Sequence, residues 1–185
     1  ADVIQMNKGE ESRSQLEPSD TEKTKRNRIA VLQEKSLSFR MGQTGASYEK
    51  LFAAYLEKAN EITIEDPYIR APWQIRNFVE FATMLVDTRP VDDLKLTLIT
   101  NEEEEKLPDL IDRLDDIKDD LAGYGITFEY KFRDFHDRCI RTDTGWTITL
   151  GRGLDIFEKY NPYSVAASRQ EKRKCKEFII TYNKE

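Results

Sequence analysis

Beyond residue 28 the chain alternates between the two-residue hydrophobic period of strands and the 3.6-residue period of helices. In "SLSFR", Leu37 and Phe39 alternate with polar neighbours, which predicts a short strand before "MGQTGAS". Ser47 is placed to cap a helix in which Tyr48, Leu51, Phe52, Tyr55 and Leu56 fall on one stripe. "EITIED" reads as a strand stopped by Pro67. Pro72 then opens a second helix with Ile75, Phe78, Val79, Ala82, Leu85 and Val86 inward. "LKLTLIT" alternates as a strand. The next helix turns Leu107, Leu110, Ile111, Leu114, Ile117 and Leu121 inward and ends at Gly123. "ITFEYKF" is a further strand. Arg138–Thr142 and Trp146–Leu150 flank "DTG" as a hairpin, "LDIFEKY" reads as a short amphipathic turn, and "KEFIITYN" as a last strand. Strands interleaved with helices and closed by a late hairpin predict an α/β domain with a mixed sheet flanked by helices.

Residues 1–28 follow neither period. They are polar, balanced in charge and free of aromatic residues, so they bury too little apolar surface to fold alone. They read as a linker or N-terminal arm, and residues 29–185 as a single domain without internal repeats. The chain opens on Ala1 rather than methionine, which fits a piece of a longer parent chain. No apolar run approaches the roughly 18–20 residues that span a bilayer. Cys139 and Cys175 form neither a metal-ligand spacing nor a secreted disulfide framework, so a cytoplasmic setting is expected.

Charge alters this picture in one place. The net charge is −6, yet residues 101–120 alone carry ten acids against three bases. One acidic helix therefore accounts for the excess, and the overall acidity argues against broad nonspecific binding to DNA. Residues 131–152 hold five bases (Lys131, Arg133, Arg138, Arg141, Arg152) and three acids, which leaves room for a local basic surface facing phosphate.

That segment also contains the one histidine of the chain, His136, spaced as His136-x-Arg138-x-x-x-x-Asp143. A strand-borne histidine can attack phosphorus or protonate a leaving oxygen, while a neighbouring cation holds the phosphate charge. The structural alternative has Asp143 building the Asp-Thr-Gly turn and His136 hydrogen-bonding at a strand entrance. Elsewhere, Glu102–Glu105 lack the alternating spacing of a calcium loop and read as a solvated helix start. "GQTGAS" has neither the glycines nor the lysine of a phosphate loop. Trp73 and Trp146 fall in amphipathic patterns and are expected as core anchors.

The His136 spacing resembles the HxKxxxxD signature of the phospholipase D superfamily, with Arg138 at the lysine position. "TGASYEKLF", "IEDPYIR", "FHDR" and "GWTITLGRGLDIF" resemble, in order and spacing, the MIT C-terminal domain, a phospholipase D-like domain. The resemblance covers roughly residues 37–160 and is looser over the tail. It implies a phospholipase D-like fold, binding of membrane phospholipid and a tendency to dimerise. A fainter resemblance is to the C-terminal part of bacterial Lon-related AAA+ proteins, which would suit the missing start methionine.

Position by position, His136, Arg138 and Asp143 match the degenerate catalytic signature, and Asp66, Pro67, Tyr68 and Arg70 match the "EDPYIR" loop. Arg70, Arg138 and Arg152 are expected to share a crevice at the strand ends, where open α/β sheets bind ligands. For Asp66–Tyr68 the alternative is a rigid turn with Tyr68 packed as a lid, and for Arg152 a surface arginine or one with a carboxylate partner. The superfamily's reaction uses two histidines, so one chain with His136 alone cannot perform it. The expected function is therefore a non-catalytic domain that binds a phosphate-bearing ligand, phospholipid headgroup or nucleic-acid backbone, through Asp66, Tyr68, Arg70, His136, Arg138 and Arg152. It would also support assembly of a larger protein, with no cofactor or metal, as a homodimer, in the cytoplasm or at a membrane periphery. The alternatives are a dimeric phosphodiesterase or nuclease joining His136 from two subunits, and a pure oligomerisation module.

Overall fold

The computed structural model describes residues 31–89 and 93–185; the arm assigned to residues 1–28 is outside them. From Leu32 to Glu185 the chain forms one unit. Its elements follow the periodicities of the sequence: β1 (Lys35–Phe39), α1 (residues 49–56), β2 (Glu61–Glu65), α2 (Pro72–Thr88), β3 (Leu94–Thr100), α3 (Leu107–Ala122), β4 (Ile126–Phe132), β5 (Cys139–Thr142), β6 (Trp146–Leu150) and β7 (Phe178–Lys184). The strands form one seven-stranded sheet in the order β1-β7-β6-β5-β2-β3-β4. β2, β3 and β4 are parallel; every other pair is antiparallel. The sheet is mixed, as the pattern predicts.

Alternation within the strands decides which side is covered. Ile62, Ile64, Leu96, Leu98, Phe128, Ile140, Ile148, Ile180 and Tyr182 share one side and are all buried. The opposite side carries threonines and charges and is half-buried or exposed over most of its area. α2 and α3 are the crossovers of consecutive parallel pairs, and right-handed crossovers progressing in one direction put both helices on the same side. All three helices contribute to a single core there. Among the described residues the helices expected to flank the sheet pack on that side.

Local chemistry sets the helix ends. Ser47 Oγ accepts from the Lys50 N–H at 3.1 Å, capping α1 as expected. Pro72 begins α2, and Gln74 Oε1 turns back to accept from the N–H groups of Ala71 (2.9 Å) and Arg70 (3.3 Å). On α2, Val79 is exposed, whereas Phe81 and Met84, outside the expected stripe, are buried. The reason is α1: Phe52 meets Phe81 edge to face with ring centroids 5.7 Å apart, so α2 is covered on a wider arc than the sheet alone requires.

Between β6 and β7 the chain departs from expectation. The turn ends at Leu154 and the rest of "LDIFEKY" is irregular, with Phe157 in an isolated antiparallel bridge to Cys175. Leu154, Ile156 and Phe157 are buried, and the Leu154 carbonyl accepts from the Tyr48 hydroxyl at 2.6 Å. The nearly buried Arg173 holds this segment to α2 through a two-pronged ion pair with Glu80, at 2.6 and 2.9 Å. Trp146 is a core anchor as predicted; Trp73 is not, being 44% exposed at the start of α2.

Candidate functional site

The parallel half of the sheet ends in the loops that carry the candidate residues. Asp66 follows β2 directly. Its N–H donates to the Ile99 carbonyl at 3.0 Å, and its side chain is buried. Oδ1 accepts from the Tyr68 N–H at 3.0 Å and Oδ2 from the Leu154 N–H at 3.3 Å, so one carboxylate joins the "EDPYIR" loop to the turn after β6. Gly153 sits directly against it with a φ of +58°, and a Cβ there would come within 2.9 Å of Asp66 Cγ and 3.1 Å of Arg138 Cδ. Both the backbone angle and the space require glycine.

Burial pushes the Asp66 carboxyl above the usual aspartate range. The Tyr68 N–H, the Arg138 charge and the Leu154 N–H oppose the rise without cancelling it.

Arginines surround the Tyr68 ring. The Arg138 guanidinium is 4.3 Å from the ring centroid and that of Arg70 is 5.3 Å away. Arg70 also pairs with Glu103 at 3.5 Å, which places part of the acidic run at the site. The Arg138 guanidinium has no hydrogen bond or ion pair to any described residue beyond its stacking on Tyr68. Arg152 donates from Nε to the Glu177 carbonyl at 2.7 Å, which leaves its terminal nitrogens without a partner among the described residues. Arg138 and Arg152 line a cavity of about 180 Å³ together with Asp66, Tyr68, Gln74, Asn77 and Asp155. Asp155 is already neutralised by Lys176 at 2.8 Å. The cavity thus offers two cations with free donors to an anion.

Arg138, Arg152, Asp66 and Tyr68 are therefore gathered around one cavity, with Arg70 at the Tyr68 ring. His136 and Asp143 are not among its lining residues. His136 is exposed in the irregular connection between β4 and β5, without a hydrogen bond or ion pair to any described residue. Asp143 is in the β5–β6 turn, where Oδ1 accepts from the Asn60 N–H at 3.0 Å. The whole of β5 separates them, so the signature spans roughly 13 Å of strand at about 3.3 Å per residue. Sequence reasoning missed Gln74, Asn77 and Asp155. The first two have a faint signal, since they are three apart on α2 and so share a helix face.

Among the described residues no three of His, Cys, Asp and Glu are grouped to hold a metal ion. No helix among them is long and apolar enough to cross a membrane.

The family described as "Phospholipase D-like domain at C-terminus of MIT" matches residues 45–184. The chain belongs to this family. MIT domain-containing protein 1 of Mus musculus is 37% identical over 150 residues, which cover 79% of this chain and 60% of that protein. The chain thus matches somewhat over half the length of this relative. Among solved structures, a phospholipase D family member, Nuc, from Salmonella typhimurium superposes with a TM-score of 0.45 at 14% identity, covering 82% of this chain and 85% of that one. Phosphatidylserine synthase of Haemophilus influenzae gives 0.41 at 12% identity, covering 81% and 34%. As a member of the MIT C-terminal family the chain carries a phospholipase D-like domain with one histidine, at the surface rather than on a strand.

Proposed function

We propose that this domain binds a phosphate-bearing ligand without transforming it, and supports assembly of the larger protein it belongs to. The observation that carries this reading is the pair Arg138 and Arg152, whose free guanidinium donors line one cavity beside a buried glycine turn. Charge-assisted hydrogen bonds to phosphate are the strong ones. Asp66 is the one acid in the cavity wall without a salt bridge, and its carboxylate is instead taken up by the Tyr68 and Leu154 N–H groups.

Each arginine–phosphate contact is worth about 1.5–3 kcal/mol, roughly 10- to 100-fold in affinity. The test measures co-sedimentation with phosphatidylcholine vesicles containing phosphatidylserine, and fluorescence anisotropy with a single-stranded oligonucleotide. Wild type is compared with Arg138→Ala and Arg152→Ala. At least tenfold weaker binding by the variants, in whichever arm binds, supports the reading and names the source of the phosphate. Binding by neither probe, or equal binding by the variants, overturns it in favour of an oligomerisation module.

One observation keeps the dimeric enzyme as a second reading: His136 is exposed and unpartnered among the described residues, so it is available to a second copy. Hydrolysis of bis(p-nitrophenyl) phosphate that disappears in His136→Ala would establish that reading. No hydrolysis by a chain shown to dimerise in solution would remove it.

A further inference from the structure

A second, larger groove of about 530 Å³ adjoins the anion cavity, and Asn77 and Asp155 belong to the walls of both. Its floor and sides are rings: Trp73, Phe157, Tyr160 and Pro162. Not one Leu, Ile, Val or Met is among its lining residues. The remaining positions are polar or charged, Asn77 and Lys176 among them.

These rings are held in place. Arg173, clamped by Glu80, stacks 4.1 Å from the Tyr160 centroid and 5.2 Å from that of Phe157. Trp73 is 44% exposed, an unusual position for the largest side chain unless its open surface meets something. Lys176 Nζ is 5.6 Å from the Trp73 centroid, adding positive charge beside the ring. The Asn77 carboxamide makes no hydrogen bond to any described residue and stands where the two cavities meet.

An alkyl chain gains only from apolar area and makes no use of the polar and charged side chains, such as Arg76, Asn77 and Lys176, that interrupt this wall. A planar heterocycle has the opposite needs: aromatic walls for its faces and amide groups for its polar edge. Two arginines next door supply the seat for an attached phosphate. We propose that the ligand is a nucleoside phosphate, its heteroaromatic ring seated against the Trp73–Tyr160 groove and its phosphate on Arg138 and Arg152. This rests on the phosphate-binding reading and deepens it: selectivity comes from the ring, not from the phosphate alone.

The test titrates the protein with AMP, UMP, ribose 5-phosphate, hexyl phosphate and inorganic phosphate, by calorimetry and by tryptophan fluorescence. AMP and UMP are expected to bind about tenfold or more tighter than ribose 5-phosphate, from ring stacking. Trp73→Leu keeps apolar bulk but removes the plane. It should abolish that advantage while leaving ribose 5-phosphate affinity unchanged, with an unchanged thermal melt as the control for folding. Hexyl phosphate binding as tightly as AMP would overturn the proposal and make the groove an aliphatic seat. Equal affinity for AMP and ribose 5-phosphate would overturn it and leave the phosphate reading intact. Failure of every ester and of phosphate itself to bind would overturn both.

Discussion

Replacing Gly153 by alanine tests the joint on which the site is built. The residue has a φ of +58°, where an L side chain costs about 1–2 kcal/mol. The new methyl carbon would stand 2.9 Å from Asp66 Cγ and closer still to Oδ2, so the carboxylate must leave its two donors, Tyr68 N–H and Leu154 N–H. Hydrogen bonds to charged groups are worth about 1.5–3 kcal/mol. One of the two is long, at 3.3 Å, which brings the pair to about 2 kcal/mol. The total is about 3–4 kcal/mol, which for a domain of this size lowers Tm by about 6–16 °C.

A thermal melt with calorimetric detection measures the loss, and a double-mutant cycle assigns it. In an Asp66→Ala background the clash is gone, so Gly153→Ala should cost only the backbone contribution of about 1–2 kcal/mol. The reasoning is refuted if Gly153→Ala lowers Tm by less than about 3 °C, or if its cost is the same with and without the Asp66 carboxylate. The same methyl would come within 3.1 Å of Arg138 Cδ, so anion binding should weaken in parallel.

Glu80→Ala strands the guanidinium of Arg173, which is 4% exposed. Breaking a buried pair costs about 3–5 kcal/mol, and the partial exposure of Glu80 brings this to about 2–3, read by urea unfolding; a change under about 0.5 kcal/mol would contradict the anchoring role. Burial pushes the Glu65 carboxyl up, but hydrogen bonds from Cys139, Arg133 and Arg141 outweigh it and hold the carboxyl below its ordinary value of 4.5. The unfolded chain therefore binds this proton more readily, and the stability Glu65 contributes is lost as pH falls below 4.5 through the folded value; Glu65→Gln should flatten that acid limb in urea midpoints across pH, and an unaltered slope would count against it.

The fold was legible because its signals are periodic and local. The strands around the core read true, since two-residue alternation fixes which side chains face inward. The α2 stripe drifted by one row because Phe81 answers to α1, a contact that no single-helix pattern encodes. "LDIFEKY" reads as an amphipathic turn by composition. In the structure Phe157 bridges Cys175 and the Leu154 carbonyl is taken by Tyr48, both distant in sequence. Trp73 looked like a core anchor because Ile75 and Phe78 follow it, but at the second position of α2 it falls off their face. The fainter resemblance to Lon-related proteins, which the missing start methionine would suit, is a link that neither the family match nor the mouse relative shows.

The site was legible only in part, and the His136–Arg138–Asp143 spacing shows why. On a strand, residues two apart face the same way, so the pattern implies His136 and Arg138 side by side over one crevice. That inference needs a ladder, and residues 133–138 have none; β5 begins one residue later, at Cys139. Arg138 is instead drawn onto the Tyr68 ring and His136 is left at the surface. What joins the loops into a cavity is the Asp66 carboxylate, which reaches the Leu154 N–H through the space left by the missing Cβ of Gly153, 87 residues away in sequence. A short motif records chemistry along the chain, whereas this cavity is made by residues that meet across it. On the proposed reading its anion binding rests on Arg138 and Arg152, and the histidine that dominates the sequence pattern has no part in lining it.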